Sequence, residues 1–316
     1  MAERILAVQG QDPRGFRLAV RARSRGVSAS DVDRALTEER SLVVTWLNRG
    51  TLHLVRSEDY PMIQAVTTPP LRSSSERRLG QEGLPPRAAE RGVAAIVKAL
   101  TEEGPLSARQ LRERLVVAGV RAQGQSLYHL LFRASLDGLI VRGPVTGKQH
   151  AYVLVRDWLP RAEPVDRERA LPEFARRFLA GHGPATQRDL ARWAAIPLRD
   201  VRAGLGAISS ELKQLGDGLV DLKRRRPAHE LPPPKLLGTF EPCLLGWTSR
   251  ADIVGDAPNL VTAGGMFYAF AMVGGSAVAR WKLADGRLEL EPFRRIAKRD
   301  REALERDAED VEAFLG

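Results

Sequence analysis

Residues 85 to 158 hold a pattern that few folds satisfy: three helix-length segments in succession, then two short strands around a turn. Pro85-Pro86 precedes Val93, Ile96, Val97 and Leu100, which share one face at i, i+3, i+4, i+7 spacing. Gly104-Pro105 ends that helix. Ser107 is placed to cap a second helix, with Gln110 three residues on to close a capping box and Leu106 set to staple against Leu111. Gly119 stops it. A third helix is expected over about 125–137, with Gly138 in the left-handed position beyond its end. Strands are expected at 139–141 and 152–155, joined by a turn from Gly143-Pro144 to Gly147-Lys148. Three helices followed by a hairpin is the winged-helix order, a fold whose third helix and wing commonly meet DNA.

The order recurs. Phe174, Phe178 and Leu179 mark a helix that stops at Gly181, Thr186 is placed to cap a second, and Pro197 opens a longer third with Leu198, Val201, Leu205, Ile208 and Leu212 on its apolar face. A strand at 219–222 runs into Lys223-Arg224-Arg225-Arg226, expected as a basic wing tip. Residues 1–66 fit less fully: Asp12 caps a helix with Pro13 at its first position, Ser30 caps a short helix through Leu36, strands at 42–47 and 51–55 flank Asn48-Arg49-Gly50, and Ser57 caps a helix through Val66. Beyond Pro232-Pro233-Pro234 the pattern turns to strands, with hairpins about Gly274-Gly275 and Asp285-Gly286 and a charged helix over about 296–314. The expected fold class is mainly α with β wings (α+β): tandem winged-helix domains plus a C-terminal β-rich unit. The expected boundaries are a first winged-helix-like domain at 1–70, a Pro/Ser/Arg/Gly-rich linker at 71–86, a second winged helix at 87–160, a third at 165–230, and the β-rich unit at 235–316.

Charge points to a polyanionic partner. Lys and Arg number 49 against 39 Asp and Glu, for a net charge of +10. Only seven of the 49 are lysine, and an arginine-rich, lysine-poor balance is also what a GC-rich genome produces. The single cysteine, Cys243, excludes an internal disulfide framework and fits a reducing cytoplasm. The five histidines show no metal-ligand spacing, and no apolar stretch suggests a membrane span or signal peptide. No cofactor or metal is expected.

Several segments taken together resemble one family: VQGQDP (8–13), RGTLHLV (49–55), LDGLIVRGPVTGKQHAY (136–152), GHGPATQRDLARWAAIPL (181–198), LLGTFEPCLLGW (236–247) and GGMF (264–267). In content and order they resemble the bacterial winged-helix DNA glycosylase family of AlkZ and YcaQ, over nearly the whole chain. The resemblance implies tandem winged helices around a DNA channel and hydrolysis of the N-glycosidic bond of bulky N7-alkylated purines, including interstrand crosslinks. It implies that Gln9 and Gln11 are the two glutamines of the Gln–apolar–Gln catalytic signature of the AlkZ-like branch; the YcaQ-like branch carries an acid at the second position. Gly10 stands where that signature has a larger apolar residue, and the first domain is expected to lack an upstream helix.

Two carboxamides suffice for such a reaction in principle. An N7-alkylated purine already carries positive charge, so its glycosidic bond needs little acid assistance. The transition state resembles an oxocarbenium ion, and water must be placed behind C1′. A glutamine offers an oxygen acceptor and two N–H donors but does not titrate, so the role open to Gln9 and Gln11 is to orient water, not to act as a strong base. On spacing alone a Gln-x-Gln is most often a polar loop at a helix start. Candidate DNA contacts are Arg49 and His53 in the first hairpin, Lys148, Gln149 and His150 in the second wing, and Lys223, Arg224, Arg225 and Arg226. His53 alternates with Leu52 and Leu54; it could meet phosphate or line the channel, and a structural role is the stronger reading for it; Trp46 and Tyr128 read as core aromatics that could stack on a base. The expected partner is alkylated double-stranded DNA, met by a monomer in the cytoplasm at the nucleoid. The alternatives are a winged-helix DNA binder without chemistry, such as a regulator or lesion binder, and a scaffold whose charge reflects genome composition.

Overall fold

The computed structural model describes residues 1–316 apart from Ala122, Gly147, Lys148, Ala162, 226–229, Asp256, Pro258, Asn259, Asp285 and Gly286, and apart from the side chains of Thr146 and Gln149. The turns expected at Gly147-Lys148 and Asp285-Gly286 therefore lie outside the described residues. Helices and strands mix along the chain, an α+β fold. Two compact units form. One comprises Met1–Val32, Arg177–Trp193 and Ser209–Gly316; the other comprises Asp33–Arg176 and Ala194–Ile208. These limits differ from the domain limits expected from the sequence, because two of the expected domains share one sheet and another is divided between the units.

In the unit built on Asp33–Arg176, helices Pro86–Glu103, Ala108–Val117 and Ser126–Leu136 precede the strands Ile140–Thr146 and Gln149–Leu154. Ser107 and Gln110 form the full reciprocal capping box, and Gly138 has φ of 72° after the third helix. Ile96, Leu100, Leu106, Leu111, Leu130 and Ile140 fill the core between them. Trp46 enters the same core from the first hairpin, stacked on Tyr152 at 6.3 Å and met edge-on by Phe132 at 5.9 Å. The strand order explains this: Leu42–Trp46 lies between Leu52–Arg56 and Ile140–Thr146, with Gln149–Leu154 beyond. The first hairpin and the second wing are thus one sheet.

Four local expectations are corrected here. The stretch 71–86 is no linker: Arg72–Gln81 is a helix whose Ser75 and Leu79, one turn apart, face inward, with Leu79 in the main core and Glu76 bonded to Arg133 at 3.0 Å. Leu79 is its sole large apolar residue, so no periodic face shows in the sequence. Gly143-Pro144 lies inside a strand, where the register slips between Arg142 and Val145. A bulge suits a proline, which has no ladder donor to give. Ser57 does not cap the next helix; its Oγ donates to the Arg40 carbonyl at 2.5 Å, and the helix Tyr60–Thr67 starts after Asp59. The helix Ala29–Thr37 is capped by Ser28, not Ser30: the Asp31 N–H donates to Ser28 Oγ at 3.1 Å, and Asp31 accepts from the Ser28 N–H at 2.8 Å.

In the other unit, the strand Lys235–Leu237 edges a four-stranded antiparallel sheet with Phe270–Val273, Ser276–Ala284 and Arg287–Pro292 in that order. The terminal helix Lys298–Leu315 lays Leu304, Val311 and Phe314 on it, against Leu236, Ala271, Ala279 and Trp281. A second sheet sets Leu219–Leu222 between Ala185–Thr186 and Leu212–Gln214. Leu212 is therefore in a strand, not on the face of a long third helix. The helix Leu198–Ala207, which belongs to the unit built on Asp33–Arg176, is weakened by Gly204 and Gly206, and beyond it the chain turns at Gly216, Asp217 and Gly218, all with positive φ. The tip of this hairpin is accordingly at 215–218, and the basic run expected at the tip follows the second strand instead.

Candidate active site

Gln9 closes the short strand Val8–Gln9, and Gln11 lies two residues on, just before the helix Pro13–Arg21. The chain leaves the strand at Gly10, and Gln11 sits in the bend that leads into the helix. The result is a direct bond: Gln9 Nε2 donates to Gln11 Oε1 at 2.8 Å. Gln9 is buried and Gln11 is exposed, so the pair runs from the interior to the surface. That bond uses one N–H of Gln9 and one lone pair of Gln11, and leaves both Gln11 N–H groups out of it. Asp12, the tempting base next door, is committed to structure. One carboxylate oxygen accepts from the Arg14 N–H at 3.0 Å, and the other accepts from the Thr239 hydroxyl.

In the first hairpin, His53 is 2% exposed on the strand opposite Thr45. Its Nδ1 bonds the Thr51 carbonyl at 3.0 Å, so Nδ1 carries the proton; Nε2 is then an acceptor, and Arg49 Nη2 donates to it at 3.2 Å. Burial, aided by the Arg49 charge, lowers the imidazole pKa to about 3. His53 is a neutral support for Arg49, itself set at φ 58° in the turn Asn48–Gly50. A histidine held neutral in the folded state resists protonation that the unfolded chain accepts below pH 6.5. The stability it carries is full above that value and falls steadily as pH drops toward 3. Between pH 7 and pH 5 the loss is expected to be about 2 kcal/mol, at 1.36 kcal/mol per pH unit. Urea denaturation of His53→Gln at both pH values should show a correspondingly flatter dependence; an unchanged slope would remove His53 from this role.

His150 is half-buried, with Nδ1 3.1 Å from the Gly143 carbonyl. Lys148 and the Gln149 side chain lie outside the described residues, as does Arg226. Lys223 is exposed and its ammonium donates to the Ser210 carbonyl at 2.8 Å; Arg224 is exposed; Arg225 bonds the Gly183 carbonyl and lies 3.5 Å from Asp221. The structure thus joins Gln9 to Gln11 and Arg49 to His53, and turns part of the basic run inward onto its own unit. Sequence reading missed Thr239, whose contact with Asp12 spans 227 positions. Its signal was only its place in the LLGTFEP segment. Among the described residues no group of His, Cys, Asp or Glu could hold a metal ion, and no helix is long and apolar enough to cross a membrane.

The family model for AlkZ-like DNA glycosylases matches residues 2–314. The chain belongs to the AlkZ-like DNA glycosylase family. Members hydrolyse N-glycosyl bonds, and the DNA substrate that charge suggested is the one this family implies. An interstrand DNA cross-link repair glycosylase of Streptomyces sahachiroi is 27% identical over 348 residues, covering 99% of this chain and 89% of that protein. The solved structure of the Streptomyces sahachiroi DNA glycosylase AlkZ superposes with a TM-score of 0.80 at 24% identity, covering 99% of this chain and 90% of the other. The family resemblance and the α+β fold expected from the sequence are those the matches show.

Proposed function

We propose that this protein is a monofunctional DNA glycosylase that releases N7-alkylated purines, including crosslinked ones, from double-stranded DNA, with Gln9 and Gln11 orienting the attacking water. The observation that carries the reading is the 2.8 Å bond between the two carboxamides in a chain matched to the family over 2–314. The C1′–N9 bond breaks and its electrons neutralise the cationic base. A water oxygen bonds to C1′ and sheds its proton to solvent, leaving an abasic sugar and a neutral base. Positioned dipoles serve this reaction without a strong base, because the leaving group is already activated. No lysine is needed in the route, so strand cleavage by a Schiff base is not part of it. Arg49, steadied by His53, and Lys148, Gln149, His150, Lys223, Arg224, Arg225 and Arg226 would hold DNA through its phosphates. The protein would act as a monomer in the cytoplasm, at the nucleoid.

The test is a duplex carrying N7-methylguanine and a second carrying an N7 interstrand crosslink, each incubated with the protein and assayed for abasic sites. Abasic product from at least one is expected. Binding to both duplexes without abasic product would sink the reading in favour of a non-catalytic DNA binder.

A further inference from the structure

We propose that His182 and Thr239 are positioning residues that clamp the backbone on either side of the glutamine pair. The inference rests on the assignment of Gln9 and Gln11 to water placement. It absorbs two sequence motifs that the chemistry leaves unused, GHGPATQRDL and LLGTFEP.

The need for a clamp comes from Gly10. Glycine has more backbone freedom than any other residue, so two reactive amides flanking it hold one geometry only if the segment is fixed at both ends. On the N-terminal side, Leu6 is fully buried with φ 62° and ψ −55°, and the Ala7 N–H donates to the Ile5 carbonyl at 2.7 Å. This is the rare, strained form of the γ-turn, which persists only where its surroundings over-determine it. The surroundings include His182, whose Nε2 lies 3.1 Å from the same Ile5 carbonyl oxygen. The imidazole is itself immobilised, stacked on Phe178 at 4.9 Å and packed against Trp193 at 5.0 Å. Neighbouring Gly181 permits the approach, since a Cβ there would collide with the Arg4 carbonyl oxygen.

On the C-terminal side, the Thr239 hydroxyl donates to the Asp12 carboxylate that caps the helix after Gln11. Here too backbones meet through glycines. A Cβ on Gly15 would lie 2.5 Å from the Thr239 carbonyl oxygen, and one on Gly238 would lie 3.2 Å from Gly15 Cα. Three residues before Gln9 there is thus a strained turn held by an aromatic-locked histidine, and one residue after Gln11 a helix cap held by a threonine.

Thr239→Val keeps shape and removes the donor, and Thr239→Ser restores it; His182→Phe keeps the stack and removes the N–H. Hydrogen–deuterium exchange over residues 5–15 is expected to rise in Thr239→Val and His182→Phe and to stay at the wild-type level in Thr239→Ser. Single-turnover base release from N7-methylguanine duplex should fall about 10- to 100-fold in the first two, with duplex Kd and melting temperature held, as small misplacements of reacting groups do. In a Gln11→Ala background Thr239→Val should have little further effect. Unchanged exchange in Thr239→Val overturns the clamp. Raised exchange with an unchanged rate, or the same loss in the Gln11→Ala background, overturns the positioning role. If Gln9→Ala and Gln11→Ala both cleave as wild type, the water-placement reading fails, and exchange alone decides the clamp.

Discussion

Alanine at Gln9 or at Gln11 is expected to slow base release by about 10- to 1,000-fold, by analogy with the loss of one pre-positioned hydrogen-bond donor from a reacting centre, which costs about 100- to 1,000-fold. The 2.8 Å bond between the two amides makes the effects interdependent. Without Gln9, Gln11 loses the donor that fixes its oxygen; without Gln11, Gln9 loses its acceptor. The double variant should therefore be only slightly slower than the worse single one, as for groups that act as a unit. The loss should fall on the rate under single-turnover conditions and leave duplex affinity near wild type, since phosphate contacts dominate affinity. It should also leave a flat pH profile through the neutral range, because a carboxamide does not titrate. Single-turnover rates on N7-methylguanine duplex at several pH values measure all of this. Wild-type rates in both single variants would remove the pair from the chemistry.

What the sequence disclosed depended on the range of the signal. The capping box at Ser107 and Gln110, the cap at Asp12 and the stop at Gly138 are local, written within a few residues, and the structure places each as expected. Arg72–Gln81 was missed because its burial rests on one leucine, and Leu212–Gln214 because it becomes a strand only through pairing with Leu219–Leu222. The merging of the first hairpin with the second wing was illegible for the same reason: Val44 meets Arg142 across nearly a hundred residues. At the candidate site, Gln9 and Gln11 were visible as a motif two residues apart. Thr239 and His182, which hold their backbone, reach it from more than 170 positions away. Alternating hydropathy carries no information about such contacts.

The largest loss of stability is expected from Asp307→Ala. Asp307 and Arg21 are both nearly buried, 2.8 Å apart, on the terminal helix and the helix Pro13–Arg21. The same carboxylate accepts from the Lys235 ammonium at 2.7 Å and from the Leu236 N–H at 2.8 Å, so one side chain ties two helices to the edge strand. Burial alone would raise its pKa; the bonds from Arg21, Leu236 and Lys235 outweigh it and hold the group below the ordinary carboxylate range. Being depressed, it contributes stability that is present above the unfolded-state pKa and lost as pH falls through the folded one. Removing the carboxylate takes away the buried partner of Arg21 and the acceptor of the Leu236 N–H; Arg21 keeps the exposed Asp310 at 2.5 Å, so the expected cost is about 3 kcal/mol, the low end for breaking a buried pair. Arg21→Met should cost less, because Asp307 keeps Lys235 and the Leu236 N–H. Urea denaturation of the two variants orders them, and equal or reversed losses would contradict the hub assigned to Asp307. The comparison also separates fold from chemistry in the unit that carries the glutamines: Asp307→Ala should lose base release in step with its folded fraction, whereas Gln9→Ala should lose it at full folding. A stable but inactive Asp307→Ala would mean that this carboxylate reaches the reaction by a route other than holding the helix behind Gln11.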